Sequence, residues 1–173
     1  MKKKNIIFIG MPAVGKSTIG VVAAKRLGMQ FLDTDLLIQE QEGKLLRNII
    51  EEAGEDGFLK IENQVNQNVH VQNTVISPGG SVVYCREAMQ HFKKNGIVVY
   101  LKASYETIEK RIKNPQKRGV VLREGQSLRD LYDERTALFE AYADIRVSED
   151  GLSLERTIET VLDSLESALE SEC

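Results

Sequence analysis

The chain has 173 residues, of which 42% are hydrophobic and 28% are charged, and its formal net charge is −3 at pH 7. This length and balance predict one soluble globular domain over residues 1–173, with enough apolar residues to bury a core. A chain whose only basic run is Lys2-Lys3-Lys4 is not expected to bind nucleic acid. No apolar run is long enough to predict a membrane helix.

The two cysteines, Cys85 and Cys173, have neither metal-binding nor redox spacing. Reduced thiols without a disulfide pattern are typical of the cytoplasm, which is therefore the predicted location. The sequence does not fix an oligomeric state, and a monomer is favoured.

Short β-branched runs alternate with longer helical patterns along the chain. The predicted strands are residues 5–9, 30–33, 74–77, 97–101 and 144–147. The predicted helices are residues 17–27, 35–53, 56–71, 85–95, 105–113, 127–142 and 153–171, and Gly28 and Gly96 are predicted to stop the first and fourth of them. This alternation predicts an α/β fold with a parallel sheet that helices cover on both faces.

A glycine-rich loop follows the first strand and leads directly into the first helix. Its Gly-x4-Gly-Lys-Ser spacing lets backbone N–H groups surround a phosphate chain at a helix N-terminus. Lys16 adds a positive charge for the terminal phosphates, and Ser17 offers a hydroxyl to Mg²⁺. The loop therefore predicts an ATP site built from Gly10, Ala13, Val14, Gly15, Lys16, Ser17 and Thr18.

Two aspartates, Asp33 and Asp35, stand on alternate positions at the end of the second strand. Strand ends of open α/β sheets border the ligand crevice, so both carboxylates can point into one site. A kinase that acts on an alcohol needs one acidic group near Mg²⁺ and another near the acceptor hydroxyl. The alternative is that Asp35 only caps the helix that follows, with Asp33 in the turn.

A loop rich in cations, proline and glycine covers residues 114–125. In a nucleotide-binding domain, such a loop favours a mobile lid that closes over phosphates. The alternative is a solvated surface loop in which the cations only keep the chain soluble.

These segments together resemble the shikimate kinase family, and the likeness covers nearly the whole chain. Beyond the phosphate loop and Asp33-Thr34-Asp35, it rests on Gly54-Glu55-Asp56-Gly57-Phe58 followed by Glu62, Gly79-Gly80, Val98-Val99-Tyr100-Leu101, Arg118, and Arg135 before Leu138-Phe139. The resemblance implies a P-loop kinase fold with a five-stranded parallel sheet, a substrate-binding helical region near 35–71 and a mobile lid near 114–125. It also implies transfer of the ATP γ-phosphate to a ring hydroxyl of shikimate, in aromatic amino acid biosynthesis.

The same resemblance implies a role for each matching residue. Ser17 and Asp33 would serve Mg²⁺, Lys16 and Arg118 the transferring phosphate, and Arg111 would pack near adenine. The small hydroxylated acceptor would be held by Asp35, Gly79, Gly80 and Arg135. The implied catalytic residues are Lys16, Asp33, Asp35 and Arg118.

The chain departs from the family pattern on the acceptor side. Leu59 stands where the family has an arginine that grips the acceptor carboxylate, and its neighbour Lys60 points about 100° away on a helix. Three glycines usually follow the third strand, and here the run is Ser77-Pro78-Gly79-Gly80-Ser81; Gly119 and Phe139 replace a lid proline and a tyrosine.

Three functions remain open at this point. The chain is a shikimate kinase, a relative redirected to another hydroxylated metabolite, or a nucleotide-binding regulatory module without catalysis. Leu59 favours the second, unless Arg135 and Lys60 suffice for the carboxylate. Retention of both aspartates favours an enzyme over a binding module, because a module has little need for the second carboxylate.

Overall fold

The computed structural model of the protein describes residues 4–113, 120 and 122–170. Within these residues five strands form one parallel sheet in the order β2-β3-β1-β4-β5. The strands are β1 (Asn5–Ile9), β2 (Gln30–Asp33), β3 (Thr74–Ser77), β4 (Gly96–Lys102) and β5 (Ile145–Ser148). The predicted parallel sheet is therefore confirmed.

Seven α-helices of the described residues surround this sheet. They are α1 (Lys16–Leu27), α2 (Thr34–Glu42), α3 (Leu46–Gln67), α4 (Arg86–Asn95), α5 (Tyr105–Arg111), α6 (Leu128–Tyr142) and α7 (Leu154–Glu170), with a short 3₁₀ helix at Val82–Tyr84. None of the helices in the described ranges is long and apolar enough to span a bilayer.

The core consists of two hydrophobic clusters. The larger one contains the central strand β1, which is buried along its whole length, as expected for a strand with helices over both faces. A smaller cluster of Ile38, Ile49, Phe58 and Val65 holds α2 against α3. The helical region predicted near 35–71 thus has a small core of its own beside the sheet.

The prediction of one helix over 35–53 and a second over 56–71 is wrong in its boundaries. Gly43 ends α2 with a left-handed backbone (φ 64°), and α3 then runs from Leu46 to Gln67. At Gly54 the backbone leaves helical geometry (φ 68°, ψ 179°), so the predicted break is a kink inside α3. The apolar periodicity continues from α2 into α3, so the sequence pattern does not reveal the turn at Gly43 between them.

Gly28 and Gly96 both follow a helix, for different reasons. Gly28 is left-handed (φ 65°), and its N–H donates to carbonyls of the last turn of α1, as predicted. Gly96 is instead extended and begins β4. A Cβ there would lie 2.4 Å from Cδ1 of Ile7 and 2.6 Å from the carbonyl oxygen of Asn5, so close approach of β1 requires the glycine.

The predicted lid, residues 114–125, lies largely outside the described residues, which omit 114–119 and 121. Arg118 is among the residues outside the description. At the described end of this segment, Arg123 Nε lies 3.1 Å from Glu55 Oε1 on α3.

Candidate active site

The carboxyl ends of β1, β2 and β3 meet at one edge of the sheet, where the chain carries the phosphate loop, the aspartates and the glycine pair. A cavity of about 280 Å³ opens at this edge. Its lining includes Lys16, Ser17, Asp35, Gly79, Gly80 and Arg135. Ligands of open α/β sheets bind outside the carboxyl ends of the strands, so the predicted residues converge where a ligand is expected.

The phosphate loop joins β1 to α1. Ala13, Gly15 and Thr18 line the cavity, whereas Gly10 and Val14 are buried at the base of the loop. Gly15 precedes α1 with a left-handed backbone (φ 100°), and no side chain of the described residues caps the first turn. The N–H groups that open α1 are therefore available to an anion in the cavity.

Lys16 is buried at the first position of α1. Its Nζ donates hydrogen bonds to the carbonyl oxygens of Gly10 (2.9 Å) and Met11 (3.0 Å). Burial lowers the pKa of this ammonium to about 8, and the nearby Asp35 carboxylate opposes that shift. A mostly protonated lysine therefore stands at the mouth of the phosphate loop near pH 7.

Ser17 and Asp33 meet at the end of β2. The Ser17 hydroxyl donates to Asp33 Oδ2 at 2.9 Å, and the Ser77 hydroxyl lies 3.4 Å from it. Asp33 Oδ1 accepts a hydrogen bond from the N–H of Asp35 (3.0 Å), so Asp33 is the N-cap of α2. The helix cap is thus Asp33 rather than Asp35. A hydroxyl and a carboxylate side by side fit Mg²⁺, which prefers oxygen ligands and takes the rest from phosphates and water.

Asp35 follows in the first turn of α2 and faces the same cavity. Its Oδ1 atom is buried and has no hydrogen-bond partner among the described residues. Burial, followed by repulsion from Asp33, raises the pKa of Asp35 to about 6, against the attraction of Lys16. A carboxylate with a raised pKa and a free lone pair suits a proton acceptor.

Arg135 reaches the opposite wall of the cavity from α6. Its side chain is only 4% exposed, and the Nε atom lacks a hydrogen-bond partner among the described residues. The glycine pair lets the charged groups approach the backbone. A Cβ on Gly79 would lie 2.8 Å from Asp35 Oδ1, and one on Gly80 would lie 3.1 Å from Arg135 Nη1. A buried guanidinium with a free donor is suited to an anionic group.

The sequence matches the shikimate kinase family over residues 12–166. The chain belongs to the shikimate kinase family. A shikimate kinase from a Sulfurihydrogenibium species is 35% identical over 160 residues, which are 92% of this chain and 96% of that protein.

Solved structures agree with this assignment. A shikimate kinase from Acinetobacter baumannii in complex with shikimate superposes with a TM-score of 0.87 at 28% identity, covering 96% of this chain and 94% of that one. The shikimate kinase from Aquifex aeolicus has a TM-score of 0.81 at 30% identity, with 95% and 98% covered. The predicted fold and membership of a family of ATP-using small-molecule kinases are confirmed.

Two of the residues that depart from the family pattern, Leu59 and Phe139, contact the hydrophobic core. Leu59 is half-buried against the main core, and its neighbour Phe58 lines the cavity. Lys60 is exposed. Phe139 is fully buried and stacks on Tyr100, with ring centroids 5.1 Å apart, so a hydrophobic ring satisfies that position.

Glu62 has no predicted role in the site, but it is completely buried beside the cavity wall. Its Oε2 accepts a 2.6 Å hydrogen bond from the hydroxyl of Ser81, and Ser81 lines the cavity. Burial raises the pKa of Glu62 to about 7. The available signal was its position one helical turn after Phe58, which places it on the same face of α3 as that apolar residue.

Arg111 lies at the end of α5, beside the phosphate loop. Its Nη1 donates to the carbonyl oxygen of Ala13 at 3.3 Å and pairs with the carboxylate of Glu149. The side chain is 42% exposed, which leaves one of its surfaces open to a ligand beside the loop.

Proposed function

We propose that this chain transfers the γ-phosphate of ATP to a hydroxyl of shikimate, as a single cytoplasmic kinase domain of aromatic amino acid biosynthesis. The observation that carries the proposal is one cavity that joins Lys16 of the phosphate loop to Asp35 and Arg135. Residues 35–71 would form the acceptor region and residues 114–125 the lid.

The donor half of the site would hold ATP through the loop backbone. Gly10, Ala13, Val14, Gly15 and Thr18 provide that backbone, and Arg111 borders the adenine side. Ser17 and Asp33 would hold Mg²⁺, which neutralises phosphate charge when bound. Lys16, together with Arg118 of the lid, would stabilise the negative charge on the transferring phosphoryl group.

The acceptor half would bind a hydroxylated carboxylate. Arg135 would pair with the carboxylate, and Gly79 and Gly80 would leave room for the ring. Asp35 would orient the attacking hydroxyl and accept its proton as the bond from oxygen to the γ-phosphorus forms and ADP leaves. The pKa of Asp35 is raised to about 6, which makes it a stronger base than an ordinary aspartate but still leaves it mostly ionised at pH 7 and above.

Release of ADP in the presence of ATP, Mg²⁺ and shikimate tests this function. The wild-type chain is expected to release ADP at a rate that rises with shikimate. Lys16→Met is expected to lower kcat by roughly 10²-fold or more, because it removes a charge from the transferring phosphate. Lys25→Met, at an exposed position of the same helix, is the matched control. A rate of ADP release that does not change with the shikimate concentration would contradict the proposal.

Leu59 supports a second candidate, a kinase of the same fold that acts on another hydroxylated metabolite. One lost guanidinium removes charge-assisted hydrogen bonds worth roughly 1.5–3 kcal/mol each. Under this candidate, shikimate is a poor substrate and Leu59→Arg raises kcat/KM for it by roughly 10²-fold. Leu59→Met, which keeps the apolar packing, is the control. A wild-type kcat/KM for shikimate of about 10⁴ M⁻¹s⁻¹ or above would contradict this second candidate.

A further inference from the structure

A buried carboxyl group without a cationic partner lies directly behind the acceptor wall. Glu62 is fully buried on α3, and no ion pair among the described residues includes it. Its Oε1 atom has no hydrogen-bond partner in the described part of the chain. Its Oε2 atom accepts from the Ser81 hydroxyl at 2.6 Å and lies 3.9 Å from Cys85 Sγ. Ser81 is thus the main polar contact of this carboxyl group.

Ser81 connects the buried carboxyl to the cavity. It lines the cavity next to Gly80, and the Arg135 Nη1 atom lies 3.1 Å from the place that a Cβ on Gly80 would occupy. A carboxylate that Arg135 holds would therefore lie near the Ser81 hydroxyl.

A serine hydroxyl has one hydrogen to donate, so the proton on Glu62 decides what Ser81 offers to the cavity. When Glu62 is ionised, Ser81 donates to it and turns only oxygen lone pairs toward a ligand, which repel a carboxylate. When Glu62 is protonated, its own O–H donates to the Ser81 oxygen, and the Ser81 O–H is free to donate into the cavity.

We propose that Ser81, with a protonated Glu62 behind it, is a specificity residue that donates to the acceptor carboxylate and thereby supplements Arg135 where Leu59 provides no guanidinium. This inference rests on the proposed function, because it takes shikimate as the acceptor. Glu62 is a positioning residue, since it acts through Ser81. Binding then moves one proton from solvent to the Glu62 carboxylate and changes no covalent bond of the acceptor.

The charges around Glu62 agree with this scheme. Burial, with a smaller contribution from Asp35, raises the pKa of Glu62 to about 7, although the Ser81 hydrogen bond, Arg135 and Lys16 oppose the rise. The Cys85 thiol stays neutral, because burial and Glu62 raise its pKa. A bound carboxylate adds negative charge on the cavity side, which favours the protonated form of Glu62.

Calorimetric titration of the full chain with shikimate, at pH 6.5, 7 and 8 in buffers of different ionisation enthalpy, tests the proposal. Wild type is expected to take up close to one proton per shikimate at pH 8 and to lose up to about tenfold in affinity from pH 7 to pH 8. Glu62→Gln is expected to take up close to one proton fewer per shikimate than wild type at pH 8, because its amide N–H₂ donates to Ser81 at every pH. Ser81→Ala is expected to bind roughly 10-fold more weakly at pH 6.5.

The outcomes separate this proposal from the proposed function. Proton uptake in Glu62→Gln equal to that of wild type would overturn the proposal, because it would assign the proton to another group such as Lys16 or Asp35. Wild-type affinity in Ser81→Ala at pH 6.5 would also overturn it, and either result leaves the kinase function standing. Failure of wild type to bind shikimate at any pH would overturn both. ATP affinity, expected to be unchanged in both variants, controls for folding.

Discussion

Asp35 has a buried oxygen without a hydrogen-bond partner among the described residues, with a second carboxylate and a lysine nearby. Burial and repulsion from Asp33 raise the pKa of Asp35 to about 6, and the attraction of Lys16 limits that rise. A base with this pKa is ionised at pH 7 and still accepts a proton readily. Its position on α2, two residues after the helix cap, fixes it beside the phosphate loop.

We expect Asp35→Asn to lower kcat by roughly 10²–10⁴-fold, because the amide cannot accept the proton of the acceptor hydroxyl. In wild type, kcat should fall as the pH drops below about 6, since protonation of Asp35 removes the base. The measurement is kcat against pH from 5 to 8 for both proteins. Asp56→Asn, at an exposed position on α3, is the matched control. A kcat of Asp35→Asn within threefold of wild type would contradict the assigned role.

Residues of the site differ in how far the sequence predicts them. Lys16, Ser17, Asp33 and Asp35 lie on short segments next to strand ends, so their convergence follows from the parallel sheet. The contact between Glu62 and Ser81 joins residues 19 apart, across α3 and the loop after β3. It depends on how α3 packs against the sheet, which no local pattern specifies.

The strand β4 approaches β1 more closely at its first residue than a side chain allows. Gly96 sits opposite Asn5, at the start of the five-residue register between β1 and β4. The nearest contacts of an added Cβ would be the Ile7 side chain and the Asn5 backbone. The backbone oxygen cannot move without disturbing the strand pairing, whereas the isoleucine side chain can.

Gly96→Ala is therefore expected to destabilise the protein by about 1–3 kcal/mol, through overpacking rather than a forbidden backbone angle. Urea unfolding at pH 7 measures the free energy of unfolding. Lys94→Ala, at an exposed position near the end of α4, is the matched control and should change stability by less than about 0.5 kcal/mol. An equal free energy of unfolding for Gly96→Ala and wild type would contradict the close approach of β1 and β4 at this residue.

Whole elements are predicted well where composition changes sharply. Three strands, β1, β2 and β3, have the predicted bounds, since the apolar runs there end at polar residues or glycine. The helices of 35–67 are predicted poorly, because apolar periodicity continues through Gly43 and only tertiary packing around Ile38 and Ile49 fixes the turn. Periodicity locates a buried face, but it does not say where one helix ends and the next begins.

At the scale of the whole molecule, the phosphate loop and the helices α2 and α3 rest on different hydrophobic clusters. The phosphate loop stands on the main core, through β1 and α1, whereas α2 and α3 share the smaller cluster of Ile38, Ile49, Phe58 and Val65. The cavity lies between these parts, and its lining comes from both.

The most direct test of the proposed function follows the phosphorus atoms themselves by ³¹P NMR, in a mixture of the chain, ATP, Mg²⁺ and shikimate. We predict that the γ-phosphate signal of ATP is replaced by a phosphate monoester signal that couples to a ring proton of shikimate, in equal amount to the ADP formed. Accumulation of free inorganic phosphate without an ester, or ATP left unchanged, would contradict phosphoryl transfer to shikimate by this chain.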